Sequence, residues 1–243
     1  MLLAACSSYP SPQVQKRGPG PAGPGNGILF VGNSLTFAND LPGIVEGLVA
    51  GSGGRLQTAI VAYSDYDLSD HLRQGAALRS IATGGWRAVV LQQGPSGLAE
   101  GRKALRRFTA SFDARIRAAG ARTALFSVWP AADGPATFDA VAESYSLAAS
   151  DVGGIYLPVT QAWSLAWVRD GSLLLYSSDG FHPSEEGSYL AALVIAGVLT
   201  GKSPVGMPAR VVRPDGRELS IPPAAAAVLQ DAAAAAIAAY ARP

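Results

Sequence analysis

The sequence predicts an α/β protein in which a parallel sheet of five strands lies between two layers of helices. From residue 27 onward, short apolar runs alternate with longer segments of helical periodicity. The apolar runs are continuous, as in strands that are buried on both faces of a sheet. Strands alternating with helices imply right-handed crossovers, which place helices on both sides of a parallel sheet. We therefore expect one three-layer α/β/α domain over residues 27–243.

The elements follow from these runs in chain order. The first strand is the apolar run at 28–31, which stops at Gly32. Four more strands are predicted at 56–62, 88–91, 123–128 and 154–159. Helices are predicted at 40–52, 67–83, 98–119, 136–150, 160–169, 184–200 and 223–240. Asp67 is a candidate N-cap, glycines follow several helices at their ends, and alanine, the best helix former, dominates the last one.

The composition excludes several kinds of protein and of site. The net charge is +1, so no basic excess points to nucleic acid as a partner. A single cysteine excludes an internal disulfide and any cysteine-based zinc or iron–sulfur site. With only two histidines we expect no metal centre and no cofactor, and an imidazole base could only be His71 or His182.

The cysteine lies in a sequence that resembles a bacterial lipobox. Cys6 follows Leu-Ala-Ala and precedes two serines, as in a site where the cysteine is lipidated. Only residues 1–5 precede it, which is shorter than a secretory signal, so we interpret 1–6 as the remnant of a longer signal. The alternative is a small-residue terminus with a chance cysteine. The first interpretation predicts export to the bacterial cell envelope, in the periplasm or on the cell surface.

The segment after Cys6 is predicted to be a tether. Residues 10–27 contain five prolines and five glycines and have little apolar surface to bury. We therefore assign 7–26 to a linker. The longest uncharged apolar run, residues 189–199, is shorter than the roughly 20 residues that span a bilayer. We expect no transmembrane helix, and membrane contact only through the lipid on Cys6.

Two short motifs carry the chemistry. The first strand runs into Gly-Asn-Ser-Leu-Thr at 32–36, where the glycine permits a sharp turn that can present Ser34 at the carboxyl edge of the sheet. Late in the chain, Asp179 precedes His182 by three residues. A serine nucleophile needs a base, and that base is usually oriented by a third group. Each motif alone is common in structural turns, but the two together are specific.

With these motifs the chain resembles the SGNH (GDSL-type) hydrolases over roughly residues 27–205. The turn at 32–35 matches the first block of that family, with asparagine where many members have aspartate, and Asp179 with His182 matches the last block. The resemblance implies the SGNH, flavodoxin-like fold. It also implies that Ser34 is the nucleophile, His182 the base and Asp179 the residue that orients His182.

The two middle blocks depart from the family pattern. The glycine expected after the second strand is absent, so a backbone N–H of Ser64 or Asp65 would help the Ser34 N–H to hold an oxyanion. An acidic side chain there is unfavourable unless it points away. The third block lacks the asparagine of the family. Ser96 takes the position of that asparagine if the glycines are aligned. Alternatively Gln92 or Gln93, at the end of the third strand, supplies an amide N–H, and the resemblance to a bacterial subgroup of the family favours Gln92.

Most of the remaining candidate residues are predicted to be structural, and Trp129 is the exception. His71 lies early in the helix after the second strand, where a buried helix position is the expected role. Trp163 and Trp167 share a helix face four residues apart, which is typical of a core stripe rather than a sugar platform. Trp129, after the fourth strand, is placed at the right edge of the sheet to line a pocket.

These observations predict a monomeric serine esterase. The expected substrate is a small-molecule or glycan ester, with an acetyl group on a carbohydrate favoured by the resemblance. A lipase or thioesterase of the same family is an alternative. A different class is a surface lipoprotein that binds glycan or acyl groups without turnover, since the oxyanion blocks are altered. A nucleotide-binding module is disfavoured because neither glycine-rich phosphate loop is present.

Overall fold

The computed structural model describes residues 27–134 and 136–241. The strands are β1 (Gly27–Gly32), β2 (Gln57–Ala62), β3 (Trp86–Leu91), β4 (Arg122–Phe126), β5 (Ile155–Leu157), β6 (Arg210–Val212) and β7 (Glu218–Ser220). The helices are α1 (Ser34–Phe37), α2 (Leu41–Gly51), α3 (Leu68–Gln74), α4 (Ala76–Ala82), α5 (Ala99–Ala118), α6 (Phe138–Asp151), α7 (Val159–Arg169), α8 (Glu185–Thr200) and α9 (Pro223–Tyr240). Cys6 and the segments 1–6 and 7–26 lie outside the described residues.

The five predicted strands form one parallel sheet in the order β2-β1-β3-β4-β5. Helices α4, α5 and α6 pack on one face, and α2 and α8 lie together on the other. The three-layer α/β/α fold is thereby confirmed. The fully buried β1 lies between β2 and β3, so the strand that follows β1 in the chain pairs with one of its edges and the next strand pairs with the other. In such sheets this reversal opens a crevice at the carboxyl ends of the two central strands, here β1 and β3.

Two local predictions differ from the structure. The helix predicted at 67–83 is two helices, because Gly75 adopts a left-handed conformation (φ 79°) that ends α3 and begins α4. The antiparallel hairpin of β6 and β7 was not predicted. Its three-residue strands are too short to show a periodicity. The one sequence signal is the Pro-Asp-Gly turn at 214–216, in which Gly216 has a φ of 81°.

Helix α9 differs from the expectation that no segment could cross a membrane. Among the described residues it is the one helix with the length and apolar composition for a span, because alanine raises its hydropathy. Its buried face packs against α7 and α8 and consists of Ala226, Leu229, Ala232, Ala233 and Ala236. This face makes up 28% of the helix, and the rest of α9 is not buried.

Candidate active site

Ser34 lies at the carboxyl end of β1, as the first residue of α1. Asn33 caps this helix, since its Oδ1 accepts the N–H of Leu35 at 3.1 Å. Gly32 is required before it, because a Cβ at this position would collide with Thr36 Oγ1 and Gln92 Oε1. Ser34 is partly exposed while its neighbours are buried. The turn therefore presents this serine at the edge of the sheet.

Gln92, at the end of β3, holds the turn from inside the protein. Its Oε1 accepts the Asn33 N–H at 2.9 Å and the Thr36 hydroxyl at 2.7 Å, and its Nε2 donates to the Gln93 carbonyl at 2.5 Å. The residue has no exposed surface (0%). The sequence predicted a side-chain N–H directed at an oxyanion. The structure instead has this amide facing inward, where it fixes the position of the Ser34 turn.

Ser96, the alternative donor, also faces inward. It is 3% exposed; its hydroxyl donates to the Gly94 carbonyl at 2.9 Å and accepts from Gln93 Nε2 at 2.8 Å. Both capacities of the hydroxyl are thus used within the loop after β3. Ser96 stabilises that loop and has no free hydrogen to offer a ligand.

The loop after β2 packs directly on the Ser34 turn. Two hydrogen bonds join them: the Tyr63 N–H donates to the Gly32 carbonyl at 3.3 Å, and Asn33 Nδ2 donates to the Tyr66 carbonyl at 3.0 Å. The two residues between these contacts, Ser64 and Asp65, are exposed. The loop therefore brings their backbone beside Ser34.

Asp65 has the backbone conformation that a glycine would favour. Its φ is 63°, in the left-handed region, at the loop where the family pattern has glycine. The backbone N–H groups of Ser34, Ser64 and Asp65 have no acceptor within the part of the chain that the structure describes. They are unpaired backbone donors at this edge that a developing negative charge could use.

His71 lies beneath the turn and is fully buried. Its Nε2 is 2.8 Å from the Gly32 carbonyl oxygen, which can only accept, so this nitrogen carries the proton. The rings of Tyr63 and Tyr66 pack against the imidazole at 5.8 and 5.3 Å. Burial lowers the pKa of His71 below its usual value, which keeps the ring neutral. Its role is structural.

Asp179 and His182 form a hydrogen-bonded pair in the loop before α8. Asp179 Oδ2 is 2.6 Å from His182 Nδ1, while Oδ1 accepts the N–H groups of Phe181 and His182, each at 2.9 Å, and the Ser177 hydroxyl at 2.7 Å. These hydrogen bonds hold the pKa of Asp179 well below its usual range, and the bond to the imidazole makes the largest contribution. The His182 side chain is 39% exposed, and its Nε2 has no partner among the described residues.

The loop after β4 supports this pair. Trp129 Nε1 donates to the Phe181 carbonyl at 2.9 Å, and the Ala132 N–H donates to the Gly180 carbonyl at 2.9 Å. The Trp129 ring stacks on Trp163 at 3.8 Å, and both are buried. Trp129 therefore braces the loop and does not line a pocket, and the Trp163 stripe belongs to the core.

Asn39 joins the two halves of the site. Its Nδ2 donates to the carbonyls of Pro183 (2.9 Å) and Ser184 (3.0 Å) and to the Ser188 hydroxyl (2.9 Å). Asn39 is five residues after Ser34, and Pro183 follows His182 directly. The structure thus brings the Ser34 turn and the His182 loop to one edge of the sheet. Asn39 belongs to no sequence motif, and its one local signal is the Asn-Asp pair at 39–40, which tolerates the left-handed backbone found there.

Comparisons with known proteins bear on the fold and the family of the chain. A protein of Slackia heliotrinireducens that is assigned to the SGNH hydrolases is 33% identical, over 72% of this chain and 99% of its own, with a TM-score of 0.61. Two further proteins share the fold. A DUF4886 family protein of Bacteroides uniformis is 19% identical over 88% of this chain and 95% of its own, with a TM-score of 0.71. An acetyl-xylooligosaccharide esterase variant of Geobacillus is 15% identical over 74% of this chain and 94% of its own, with a TM-score of 0.51. No protein-family model and no curated protein matches the chain. By its likeness to the Slackia protein, the chain belongs to the SGNH hydrolase family.

Proposed function

We propose that this SGNH hydrolase is a serine esterase in which Ser34 is the nucleophile, His182 the base and Asp179 the residue that orients the base. The observation that carries the proposal is the 2.6 Å contact between Asp179 Oδ2 and His182 Nδ1. It fixes the imidazole so that Nδ1 donates to the carboxylate, which leaves Nε2 to accept a proton. Asn39 holds this loop beside the turn that carries Ser34.

The proposed reaction has two halves. His182 Nε2 takes the hydroxyl proton of Ser34 as its Oγ attacks the acyl carbon, and Asp179 stabilises the imidazolium that forms. When the tetrahedral intermediate collapses, the carbon–oxygen bond to the alcohol breaks and His182 protonates the leaving oxygen. Water then attacks the acyl-enzyme with His182 as base, which releases the acid and restores the Ser34 hydroxyl.

The oxyanion donors in this proposal are backbone groups. The N–H groups of Ser34, Ser64 and Asp65 are unpaired among the described residues and lie on packed loops. Gln92 and Ser96 contribute through the positions of these loops, since their own polar atoms are bonded inside the protein. Loss of a single oxyanion donor typically costs about 10²–10³ in rate, so a side-chain donor missing from the third block predicts a slow esterase.

The proposed substrate is a small acyl ester, with acetyl on a carbohydrate as the favoured case. The Geobacillus neighbour acts on acetyl-xylooligosaccharides by its name, and it shares the fold at 15% identity. Turnover of an acetyl aryl ester and an octanoyl aryl ester separates this substrate class from the lipase alternative. We expect a higher kcat/KM for the acetyl ester.

The decisive variant is Ser34→Ala. We expect it to abolish hydrolysis of a short-chain aryl ester while the protein keeps its fold by circular dichroism. A fluorophosphonate probe should label the wild type at Ser34 and leave the variant unlabelled. Folded wild-type protein that takes no label would instead favour a non-catalytic glycan- or acyl-binding protein.

The proposed location of this enzyme is the cell envelope, through a lipid on Cys6. The support is the lipobox-like sequence around Cys6 and the proline- and glycine-rich segment that follows. Mass spectrometry of the membrane fraction tests it, since an unmodified Cys6 in the full-length gene product contradicts the anchor.

A further inference from the structure

A second cleft lies at the opposite end of the sheet from Ser34. Its volume is about 540 Å³, which is within the range of small-molecule sites. Residues near the start of three neighbouring strands border it: Arg87 and Ala88 in β3, Arg122 in β4 and Ile155 in β5. Because the strands are parallel, this amino end of the sheet is one strand length away from the catalytic edge.

The walls of this cleft are mainly apolar. They come from the last turns of α8 and α9 and from the segment that follows α8, with Val198, Leu199, Pro204, Ile237 and Ala238 among them. No carboxylate side chain lines the cleft within the described residues. An apolar ligand surface placed here would be removed from water, which is favourable in proportion to its area.

The rim of the cleft is cationic. Arg87, Arg122 and Lys202 are exposed there. Lys202 Nζ donates to the Ser52 carbonyl at 2.7 Å, whereas neither arginine side chain has a hydrogen bond or an ion pair with any residue of 27–134 or 136–241. The carboxyl ends of α8 and α9 add partial negative charge, about half a unit each, which the three full positive charges exceed.

We propose that this cleft binds an amphiphile with a single alkyl chain and a carboxylate head group, as in a fatty acid. Guanidinium groups match a carboxylate because they can donate two parallel hydrogen bonds to it. Arg122 pairs in register with Ala88, the residue after Arg87, so the two arginines lie on adjacent strands one residue out of register, and both border the cleft. The alkyl chain then lies along the apolar walls of α8 and α9.

The test is calorimetric titration of the full chain with decanoate below its micelle concentration, with decanol as the neutral chain and acetate as the head group alone. We expect saturable binding of decanoate, binding of decanol at least about tenfold weaker, and no detectable binding of acetate. Equal binding of decanol and decanoate would overturn the proposal, because the arginines would then contribute nothing.

Variants locate the site. We expect the double variant Arg87→Gln/Arg122→Gln to bind decanoate at least about tenfold more weakly. The matched control Arg79→Gln/Lys103→Gln removes the same charge outside the cleft and should bind as the wild type does. Ala238→Trp, at an exposed position of α9, should fill the cleft and abolish binding. Decanoate binding that survives both the arginine variant and Ala238→Trp would place the ligand elsewhere and refute the proposal.

Discussion

The side-chain oxygen of Gln92 accepts the backbone N–H of Asn33 at 2.9 Å, which ties the end of β3 to the turn that carries Ser34. The same oxygen accepts the Thr36 hydroxyl, so a single buried atom binds both ends of the first turn of α1. The two central strands of the sheet are therefore joined at the point where the serine is presented. The position of Ser34 depends on this contact as well as on its own local sequence.

We expect Gln92→Ala to destabilise the protein by about 2–4 kcal/mol, because it leaves the buried Asn33 N–H without an acceptor and opens a cavity. Urea denaturation gives the free energy of unfolding. Thr36→Val is the matched control, since it removes one donor to Gln92 while nearly preserving shape, and it should cost about 0.5–1.5 kcal/mol. Equal losses in the two variants would contradict a leading role for the Asn33 contact.

The sheet was predictable from the sequence because its strands are continuous apolar runs separated by helices. Each of the five strands lies within two residues of its predicted bounds. The break at Gly75 was missed because the apolar positions on either side of it keep a helical period. The β6–β7 hairpin was missed because three-residue strands carry no pattern of their own, and the contacts of β6 with α2 exist only in the folded chain.

The site was predictable only where its chemistry is local in the sequence. Asp179 and His182 are three residues apart, and one loop brings their side chains into contact. The contacts of Gln92 and Asn39 join residues 59 and 144 positions apart, so only the folded chain shows them. For Gln92 the sequence identified the position, and the structure shows that its amide points inward.

Asn39 should be a positioning residue for His182. Asn39→Gly keeps the left-handed backbone and loses the three side-chain hydrogen bonds, whereas Asn39→Asp keeps the shape but sets a carboxylate against the carbonyls of Pro183 and Ser184. We expect the aspartate variant to have the lower kcat of the two, with both at least about tenfold below wild type and with little change in KM. Steady-state kinetics on a short-chain ester measures this.

The ranking of kcat in these two Asn39 variants separates the role of the side-chain amide from that of the backbone conformation. If only the backbone conformation mattered, glycine and aspartate would behave alike, since both adopt left-handed φ more readily than other residues do. A kcat for Asn39→Asp equal to that of the wild type would show that the amide does not hold the His182 loop.

Buried His71 should make the protein less stable in mild acid. Its pKa is about 6.5 in the unfolded chain and is lowered in the folded one by burial. As the pH falls below about 6.5, the unfolded state takes up a proton that the native state does not. The free energy of unfolding therefore decreases toward the folded pKa, by at most about 1.4 kcal/mol per pH unit. Urea denaturation between pH 5 and 7.5 measures the slope.

His71→Phe should reduce this slope, because the ring packing against Tyr63 and Tyr66 is kept without a titrating group. The Gly32 carbonyl still accepts the Tyr63 N–H in that variant. The control is His182→Gln, which leaves His71 in place and should retain the loss of stability in acid. An unchanged slope in His71→Phe would assign the acid sensitivity to other groups.

The exposed carboxylate of Asp65 should slow the proposed esterase, because it lies on the loop whose N–H groups face the developing oxyanion. Asp65→Asn removes only the charge, and Asp65→Gly also removes the side chain from a left-handed position. We expect kcat to rise by roughly three- to tenfold in both variants at low ionic strength. The gain should shrink as salt screens the charge, so kinetics at 0.02 and 0.5 M salt (roughly 20 and 4 Å Debye lengths) form the test. A salt-independent gain in Asp65→Gly without a gain in Asp65→Asn would instead trace the effect to backbone strain.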